Sequence, residues 1–295
     1  MSDTLTAPVD SRPAGVAIIA TALPRVRRRR ILAGGVVVSV LVIVAVLGFA
    51  LFPQLFTTQD PIDGVPRDKL LAPSADHWFG TDHLGRDVFT RVVYGARLSL
   101  MATAVAVVFG FVVGTTLGIV AGYRGGVVDS VLMRIVDVLL AVPGLLLSLT
   151  IVVALGFGTL NVAIAVGVGA VASFARLMRA EVMRIRQSEY IEASIAFGRS
   201  WRGVLVEHVV PNASGSVLVL ATLEFGSAIL AISSLSFLGF GAQPPDPEWG
   251  QLVSDGRNYL ATSWWLTTLP GLVVVLVVLS VNRIGRALER DGVRR

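Results

Sequence analysis

The sequence has 295 residues, of which 54% are hydrophobic and only 15% charged, with a net charge of +5 and a mean hydropathy of +0.75. Soluble domains carry about 25% charged residues, so a soluble enzyme or binding protein is excluded and the chain is expected to lie in a membrane. No cysteine is present, which excludes disulfides, iron–sulfur clusters, thiolate zinc sites and cysteine nucleophiles. Lys69 is the only lysine and Leu70 follows it, so no P-loop of the form G-x-x-x-x-G-K-[ST] can bind ATP.

Six apolar runs are long enough to cross a bilayer as helices, which takes about 17–25 residues. They cover residues 31–52, 98–123, 133–155, 160–177, 216–240 and 264–284. The first run follows an arginine cluster and is longer than the apolar core of a signal peptide, so we interpret it as an uncleaved anchor. The sequence therefore predicts an all-α, polytopic membrane protein with about six transmembrane helices and both termini in the cytoplasm.

The distribution of arginine agrees with this topology, because short cytoplasmic loops carry an excess of basic residues. The predicted cytoplasmic side receives the cluster at residues 25–30, Arg124, Arg134, the arginines between residues 176 and 202, and those from residue 283 onward. Outside, basic residues are sparser and are offset by aspartate and glutamate. The pI near 10.4 thus reflects membrane topology, and the expected partner is a lipid bilayer and not a nucleic acid.

We divide the chain into four regions. Residues 1–30 form a basic cytoplasmic tail, residues 31–97 the first transmembrane helix and an extracytoplasmic loop, residues 98–285 the membrane core, and residues 286–295 a second tail. The core contains a polar cytoplasmic hairpin, residues 181–212. The loops at 53–97 and 241–263 contain several Pro, Gly and Asp residues and are expected to form a structured outer surface.

Four glycines in the second span recur every four residues and lie on one helix face. They are Gly110, Gly114, Gly118 and Gly122. Small residues at this spacing usually allow another helix to approach closely, so we predict a packing stripe. A glycine-lined surface for translocation is the alternative.

The cytoplasmic hairpin begins with SEYIEASIAFG at Ser188, a polar start followed by small residues and a glycine that can end a helix at positive φ. After Gly198, Ser200 is placed to cap a second short helix, which Pro211 is expected to terminate near the next span. From the residues alone, two interpretations stay open. The hairpin either anchors the bundle at the membrane interface or docks a partner.

Three separated stretches resemble one known family, the binding-protein-dependent permeases of ABC importers. The hairpin keeps the full spacing of their EAA loop, E-A-A, three residues, G, nine residues, I-x-L-P. The matching residues are Glu192, Ala193, Ser194, Gly198, His208, Val210 and Pro211. FGTDHLGRD at 79–87 with YGARLSL at 94–100 is similar to the outer loop of the dipeptide, oligopeptide and nickel permeases. LSFLGFG at 235–241 with EWG at 248–250 is similar to their fifth-helix exit.

This resemblance implies a non-catalytic permease subunit of an importer that moves peptides across the bacterial cytoplasmic membrane. Such a subunit works with a second homologous permease subunit, two ABC ATPase domains and an extracytoplasmic substrate-binding protein. The hairpin is then expected to couple the chain to the ATPases. The coupling residues are Glu192, Ala193, Ser194, Gly198, His208 and Pro211. No cofactor is expected on this chain, because ATP and Mg²⁺ belong to the partner ATPases.

The chain departs from the family near the end of the fifth span, where members often have an acidic residue shortly before L-S-F-L-G and this sequence has Ile232. Glu224 lies about two turns earlier. An ionisable group inside a span is costly and usually faces a cavity or a partner. Glu224 therefore either lines the substrate path, binding for example a peptide amino terminus, or is a protonated or hydrogen-bonded structural residue.

There are three alternatives to a peptide permease: a different cargo, a different energy source and an enzyme. His77 and His83 lie in the outer loop and His208 in the hairpin, so no span contains a histidine, no metal site is expected, and peptides are favoured over a nickel chelate as cargo. An ion-coupled secondary transporter using Glu224 leaves the EAA spacing unexplained. An intramembrane enzyme is excluded, because the sequence has no G-x-S-x-G, no H-E-x-x-H and no histidine base in a span.

Overall fold

The computed structural model of this chain describes residues 25–188, 191 and 199–292, and these are almost entirely helical. Their α-helices are α1 Arg25–Leu51, α2 Val88–Arg124, α3 Gly126–Ala141, α4 Gly144–Leu155, α5 Thr159–Arg186, α6 Trp201–Val204, α7 Val210–Phe237, α8 Trp249–Gly256 and α9 Trp265–Gly292. A π-helical turn, Leu205–Val209, joins α6 to α7, and short 3₁₀ turns lie at Pro53–Leu55, Pro66–Asp68 and Arg257–Tyr259. In these ranges β structure is limited to one isolated bridge between Thr81 and Asp87.

Five of these helices are long and apolar enough to cross a membrane, and a bent pair makes six when the pair is counted as one span. The five are α1, α2, α5, α7 and α9, and the pair is α3 with α4, which meet at 98°. The prediction of an all-α protein with about six spans is therefore confirmed. The expectation of one straight helix over residues 133–155 is wrong, because Pro143 lacks an N–H group and the helix breaks just before it.

Helix α2 begins at Val88, ten residues before the predicted start of its span at residue 98. The Asp87 side chain caps it by accepting a hydrogen bond from the Thr90 N–H group at 2.7 Å. With 37 residues, α2 is about 55 Å long and extends well beyond the hydrocarbon layer. The first turns of α2 are therefore part of the outer surface and not of a loop.

The four glycines of α2 face α5 along its length, which confirms the predicted packing stripe. They are Gly110, Gly114, Gly118 and Gly122. Gly110 lies against Ala170 and Gly122 against Val182, so the contact advances in the same direction on both helices and α2 and α5 run parallel. Because α5 occupies this face, the glycines do not line an open surface for translocation.

The buried side chains form two main cores. One lies between α2, α4, α5 and α7, and the other between α1, α2, α8 and α9. At one end of the second core, the guanidinium group of Arg283 on α9 lies directly over Gly35 on α1. The two ends of the described chain thus lie on the same side of the bundle, which we call the cytoplasmic side from the positive-inside rule.

Buried ion pairs order the outer loop, for which the sequence predicts a structured surface. The Asp82 carboxylate accepts hydrogen bonds from the Arg86 Nε at 2.7 Å and from the backbone N–H groups of Leu84 and Arg86. Arg91 on α2 donates to the Pro61 carbonyl at 2.8 Å and is only 2% exposed. The loop before α2 is therefore fastened to the helix by charged groups withdrawn from water.

Glu248 joins the second outer segment to α2. Its fully buried carboxyl group accepts hydrogen bonds from the Ser99 hydroxyl at 3.1 Å and from the N–H groups of Gly250 and Gln251 at 3.1 and 3.0 Å. Burial raises the pKa of Glu248, and the two backbone N–H groups oppose that rise. The same residue thus caps α8 and holds it against α2.

Gly118→Ala tests the glycine contact. The new Cβ would lie 2.5 Å from the carbonyl oxygen of Ala175, a backbone atom that cannot rotate away, so α2 and α5 must separate. We expect the free energy of unfolding in detergent to fall by about 1–3 kcal/mol, measured by denaturant titration. Gly34→Ala in α1 is the control, because nothing lies within 4 Å of its Cβ. Equal stability of the two variants would contradict the close packing.

Glu248→Ala tests the outer link. The substitution leaves two backbone N–H groups and the Ser99 hydroxyl without their acceptor, and the free energy of unfolding should fall by about 1–3 kcal/mol. Glu248→Gln keeps one acceptor oxygen and is expected to lose less. Arg67→Ala, which removes an exposed ion pair with Asp68, should change stability by less than about 1 kcal/mol. Thermal unfolding in detergent distinguishes these cases. A Glu248→Ala variant as stable as Arg67→Ala would contradict the stabilising role of Glu248 between α8 and α2.

Candidate functional site

The cytoplasmic hairpin lies between α5 and α7, and the structure describes only part of it. Glu192, Ala193, Ser194 and Gly198 lie outside the described residues, so their predicted coupling role stays a prediction. His208 lies in the π-helical turn Leu205–Val209, and Pro211 lies in the first turn of α7. His208 and Pro211 thus lie where the hairpin joins α7, the fifth of the predicted spans.

Pro211 does not terminate a helix as the sequence predicts, because the chain continues from α6 through the π-helical turn directly into α7. The Val210 N–H group donates to the Leu205 carbonyl, five residues back, so the turn is wider than an α-helical one. Pro211 has no N–H group to donate, so the helical backbone passes through it with one hydrogen bond fewer and does not end there. The hairpin is therefore joined to α7 by continuous helical backbone.

Three apolar side chains fix the described part of the hairpin to the bundle. Ile191, Val204 and Val209 are 0% exposed and belong to the same core as α2, α5 and α7. The Ile191 N–H group also donates to the Ser188 carbonyl at 3.0 Å. A displacement of the hairpin must therefore move side chains that pack between the membrane helices.

An aromatic pair makes a second link. The rings of Trp201 on α6 and Tyr123 at the end of α2 stack with centroids 4.2 Å apart and planes 12° apart. Arg186, at the end of α5, donates to the Tyr123 carbonyl at 2.8 Å. The cytoplasmic ends of α2 and α5 and the base of the hairpin are thus tied at one point.

A partly buried ion pair links α3 to α5. The Arg179 guanidinium on α5 makes two hydrogen bonds with the Asp129 carboxylate on α3, at 2.5 and 2.7 Å. Arg176, one turn away, pairs with Asp137 at 2.7 Å on the exposed surface. Two-point guanidinium–carboxylate pairing fixes orientation as well as distance, so α3 and α5 are held in register near the hairpin.

Glu224 lies near the middle of the apolar stretch Gly215–Phe237 of α7. It is half-buried, and the Ser173 side chain of α5 lies beside its carboxyl group. Among the described residues, every ion pair with an N–O distance up to 4 Å involves a carboxylate other than that of Glu224. Glu224 is thus a carboxyl group inside a span with a hydroxyl neighbour and no basic one in the part of the chain that is described.

Glu224 borders a cavity of about 350 Å³ whose opposite wall is the break between α3 and α4. Pro143 and Gly144 line it at the break, and Ser227 lines it one turn along α7 from Glu224. Ligand-binding cavities of small molecules measure about 300–1,000 Å³. Glu224 therefore lies at a cavity large enough for a small molecule, as expected for an ionisable residue in a span.

A second cavity of about 920 Å³ adjoins the first and continues toward the cytoplasmic side. Leu140 lines both cavities, and Ser173, the neighbour of Glu224, lines the larger one. Its charged residues are Arg176, Arg184 and Glu289. The two spaces together form a groove along α5 and α7 from mid-span to the cytoplasmic ends of the helices.

The two histidines of the outer loop contact side chains of the outer surface. The His77 Nδ1 lies 2.9 Å from an Asp87 carboxylate oxygen, and the His83 ring stacks on Tyr259. Across residues 25–188, 191 and 199–292, no three His, Asp or Glu side chains are grouped closely enough to hold a metal ion.

Two elements of this region were not identified from the sequence. Pro143 inside an apolar run is a signal for a helix break, and it predicts the wall opposite Glu224 when it is taken into account. Ser173 carries no comparable signal, because serine is common in transmembrane helices and its pairing with Glu224 depends on how α5 and α7 are rotated.

Similar proteins of known name are transport permeases. The chain is 43% identical over 258 residues to a dipeptide transport system permease protein of Alkalihalophilus pseudofirmus, covering 88% of this chain and 83% of that protein. It is 38% identical over 258 residues to a probable D,D-dipeptide transport system permease protein of Escherichia coli, covering 88% and 85%. A glutathione transport system permease protein of Pectobacterium atrosepticum is 38% identical over 255 residues, covering 86% and 83%.

Solved structures share the fold at low sequence identity. The inward-facing MetNI methionine ABC transporter superposes with a TM-score of 0.57 at 20% identity, covering 68% of this chain and 96% of that one. Residues 114–292, more than half of the chain, match the family described as binding-protein-dependent transport system inner membrane component. The bundle therefore has the ABC importer permease fold, and the chain belongs to the family of binding-protein-dependent transport system inner membrane components.

Proposed function

We propose that this chain is a transmembrane subunit of an ATP-driven importer that moves peptides across the bacterial cytoplasmic membrane. The observation that carries the proposal is the 43% identity to a dipeptide permease over 88% of the chain, since similarity of this extent includes the hairpin and both cavities. The relatives named for glutathione also transport a small peptide. We therefore prefer short peptides to a nickel chelate as cargo.

In this proposal the chain performs no chemistry, and ATP with Mg²⁺ binds to partner ATPase subunits. A second permease subunit completes the pathway, and a binding protein delivers peptide to the outer surface. The hairpin receives the movement of the ATPases through Glu192, Ala193, Ser194, Gly198, His208 and Pro211. What supports this role is the way the hairpin is tied to the bundle, by Ile191 in the core and by the stack of Trp201 on Tyr123.

The test of the proposal is purification of the tagged chain from native membranes in mild detergent, with quantitative mass spectrometry of the proteins that accompany it. We expect a second permease and P-loop ATPases in stoichiometric amounts. A chain that purifies alone would contradict the proposal and bring an ion-coupled transporter forward.

Gly198→Asp tests the coupling loop. We expect the variant to insert in the membrane but to lose the ATPases or to hydrolyse ATP without moving peptide, because a Cβ and a charge enter the turn. The measurement is peptide uptake and ATP hydrolysis in proteoliposomes. Gly203→Asp is the control, since it adds the same charge to the same hairpin where a Cβ meets only ordinary contacts. Normal uptake by Gly198→Asp would defeat the assignment.

Trp201→Ala tests the aromatic link. The variant loses a stacked pair worth about 0.5–1.5 kcal/mol, so the base of the hairpin should loosen and fewer peptides should move per ATP hydrolysed. Trp201→Phe keeps a ring and should retain most of the coupling. The ratio of transported peptide to released phosphate separates the two, and an unchanged ratio in Trp201→Ala would show that the stack does not transmit movement.

A further inference from the structure

We infer that Glu224 and Ser173 form a binding site for a protonated amine of the cargo inside the membrane span. The inference rests on the proposed function, because it assigns a task to a cavity along the peptide's path. Three properties of the site support it: its charge, its shape and the kind of atoms it offers.

The charge of the site is set by Glu224. Helix ends carry about half a unit of charge, negative at the end of α3 and positive at the start of α4, and both lie at the break that forms the cavity wall. These two partial charges oppose each other, whereas the Glu224 carboxyl group carries a full unit of negative charge when it is ionised, as it is when it pairs with an ammonium group. With no basic group within ion-pair distance among the described residues, the cavity attracts a cation.

The shape of the site suits a small organic ligand. The cavity of about 350 Å³ is bounded by apolar residues of α3, α4, α5 and α7 except at Glu224 and a few hydroxyl groups. It opens beside the larger cavity, which leads to the cytoplasmic ends of the helices. Apolar walls with one charged group fix the orientation of a ligand without binding all of it tightly, as transport requires.

The atoms of the site suit an ammonium group better than a metal ion. An ammonium group has three donors. The cavity offers the carboxylate oxygens of Glu224 and the hydroxyl group of Ser227, and Ser173 lies beside Glu224 in the lining of the neighbouring cavity. Calcium takes six to eight oxygen ligands, more than these groups supply, and the residues that line the cavity include neither His nor Cys, the ligands that zinc prefers.

Ser173 acts as a positioning residue. Its hydroxyl group lies beside the Glu224 carboxyl group, whose two oxygens have acceptor capacity for a hydroxyl group and for a ligand together. Its removal should therefore weaken amine binding less than removal of the charge does.

The test uses the complete transporter in nanodiscs and a short peptide that carries a photoreactive phenylalanine at its carboxyl end. The peptide concentration that gives half-maximal labelling of this chain is measured for three probes: one with a free amino terminus, one N-acetylated, and one N-acetylated with a lysine side chain. In the wild type, the acetylated probe without lysine should bind weakest. The other two probes show whether the amine comes from the peptide terminus or from a side chain.

Glu224→Gln should raise the half-maximal concentration of the amine-bearing probes at least about tenfold, as expected when one member of a desolvated charge pair is lost. The neutral probe should be unaffected. Glu224→Asp keeps the charge and should preserve the preference for an amine, and Ser173→Ala should reduce it partly. Glu289→Gln is the matched control in the neighbouring cavity and should behave like the wild type.

Equal labelling of Glu224→Gln and wild type, or no preference for an amine in the wild type, would overturn the inference. Peptide-stimulated ATP hydrolysis by the wild-type complex is measured in parallel. If the complex responds to peptide but Glu224→Gln keeps its amine preference, the amine site is wrong and the importer stands. If the complex never responds to peptide, the proposed function itself fails.

Discussion

Four glycines at intervals of four residues bring the backbone of α2 against the backbone of α5, and most of the fold is arranged around that contact. Lipid tails are as apolar as leucine, so burial of apolar surface does not drive helices together inside a bilayer, and close packing must do it. Side chains at these positions would force the helices apart. The remaining helices pack around this pair, with α4 and α7 beside it and α1 and α9 around the outer half of α2.

The hairpin follows directly from this arrangement, because α5 leads straight into it and α7 leads out of it without a break in the helical backbone. Its inner residues share a core with the glycine contact, and Tyr123 at the end of α2 meets Trp201 at its base. A force applied at the hairpin therefore acts on α2, α5 and α7 together. The ion pair of Asp129 with Arg179 adds α3 to the same group.

The number of spans, the glycine stripe and the ordered outer surface could be predicted from the sequence, because each depends on composition or on a local period. The bend at Pro143 was missed since the residues on both sides of it are apolar and the length of the run alone suggests one crossing. Pro211 was misjudged because a proline ends a helix or begins one according to the backbone before it, and a π-helical turn cannot be recognised from composition. Glu224 could be singled out as a charge in a span, but its partner Ser173 depends on how two distant helices face each other.

The break at Pro143 also bears on how the protein enters the membrane. The 16 residues of α3 measure about 24 Å and the 12 residues of α4 about 18 Å, whereas the hydrocarbon layer is about 30 Å thick. Neither half crosses alone, and their 98° bend prevents them from crossing as one rod. Helix α4 is held by α5, through buried Val152 and a hydrogen bond from Ser148 to the Ala165 carbonyl. During synthesis α5 emerges after α4, so the third span reaches its final position only once the ribosome has moved well past it.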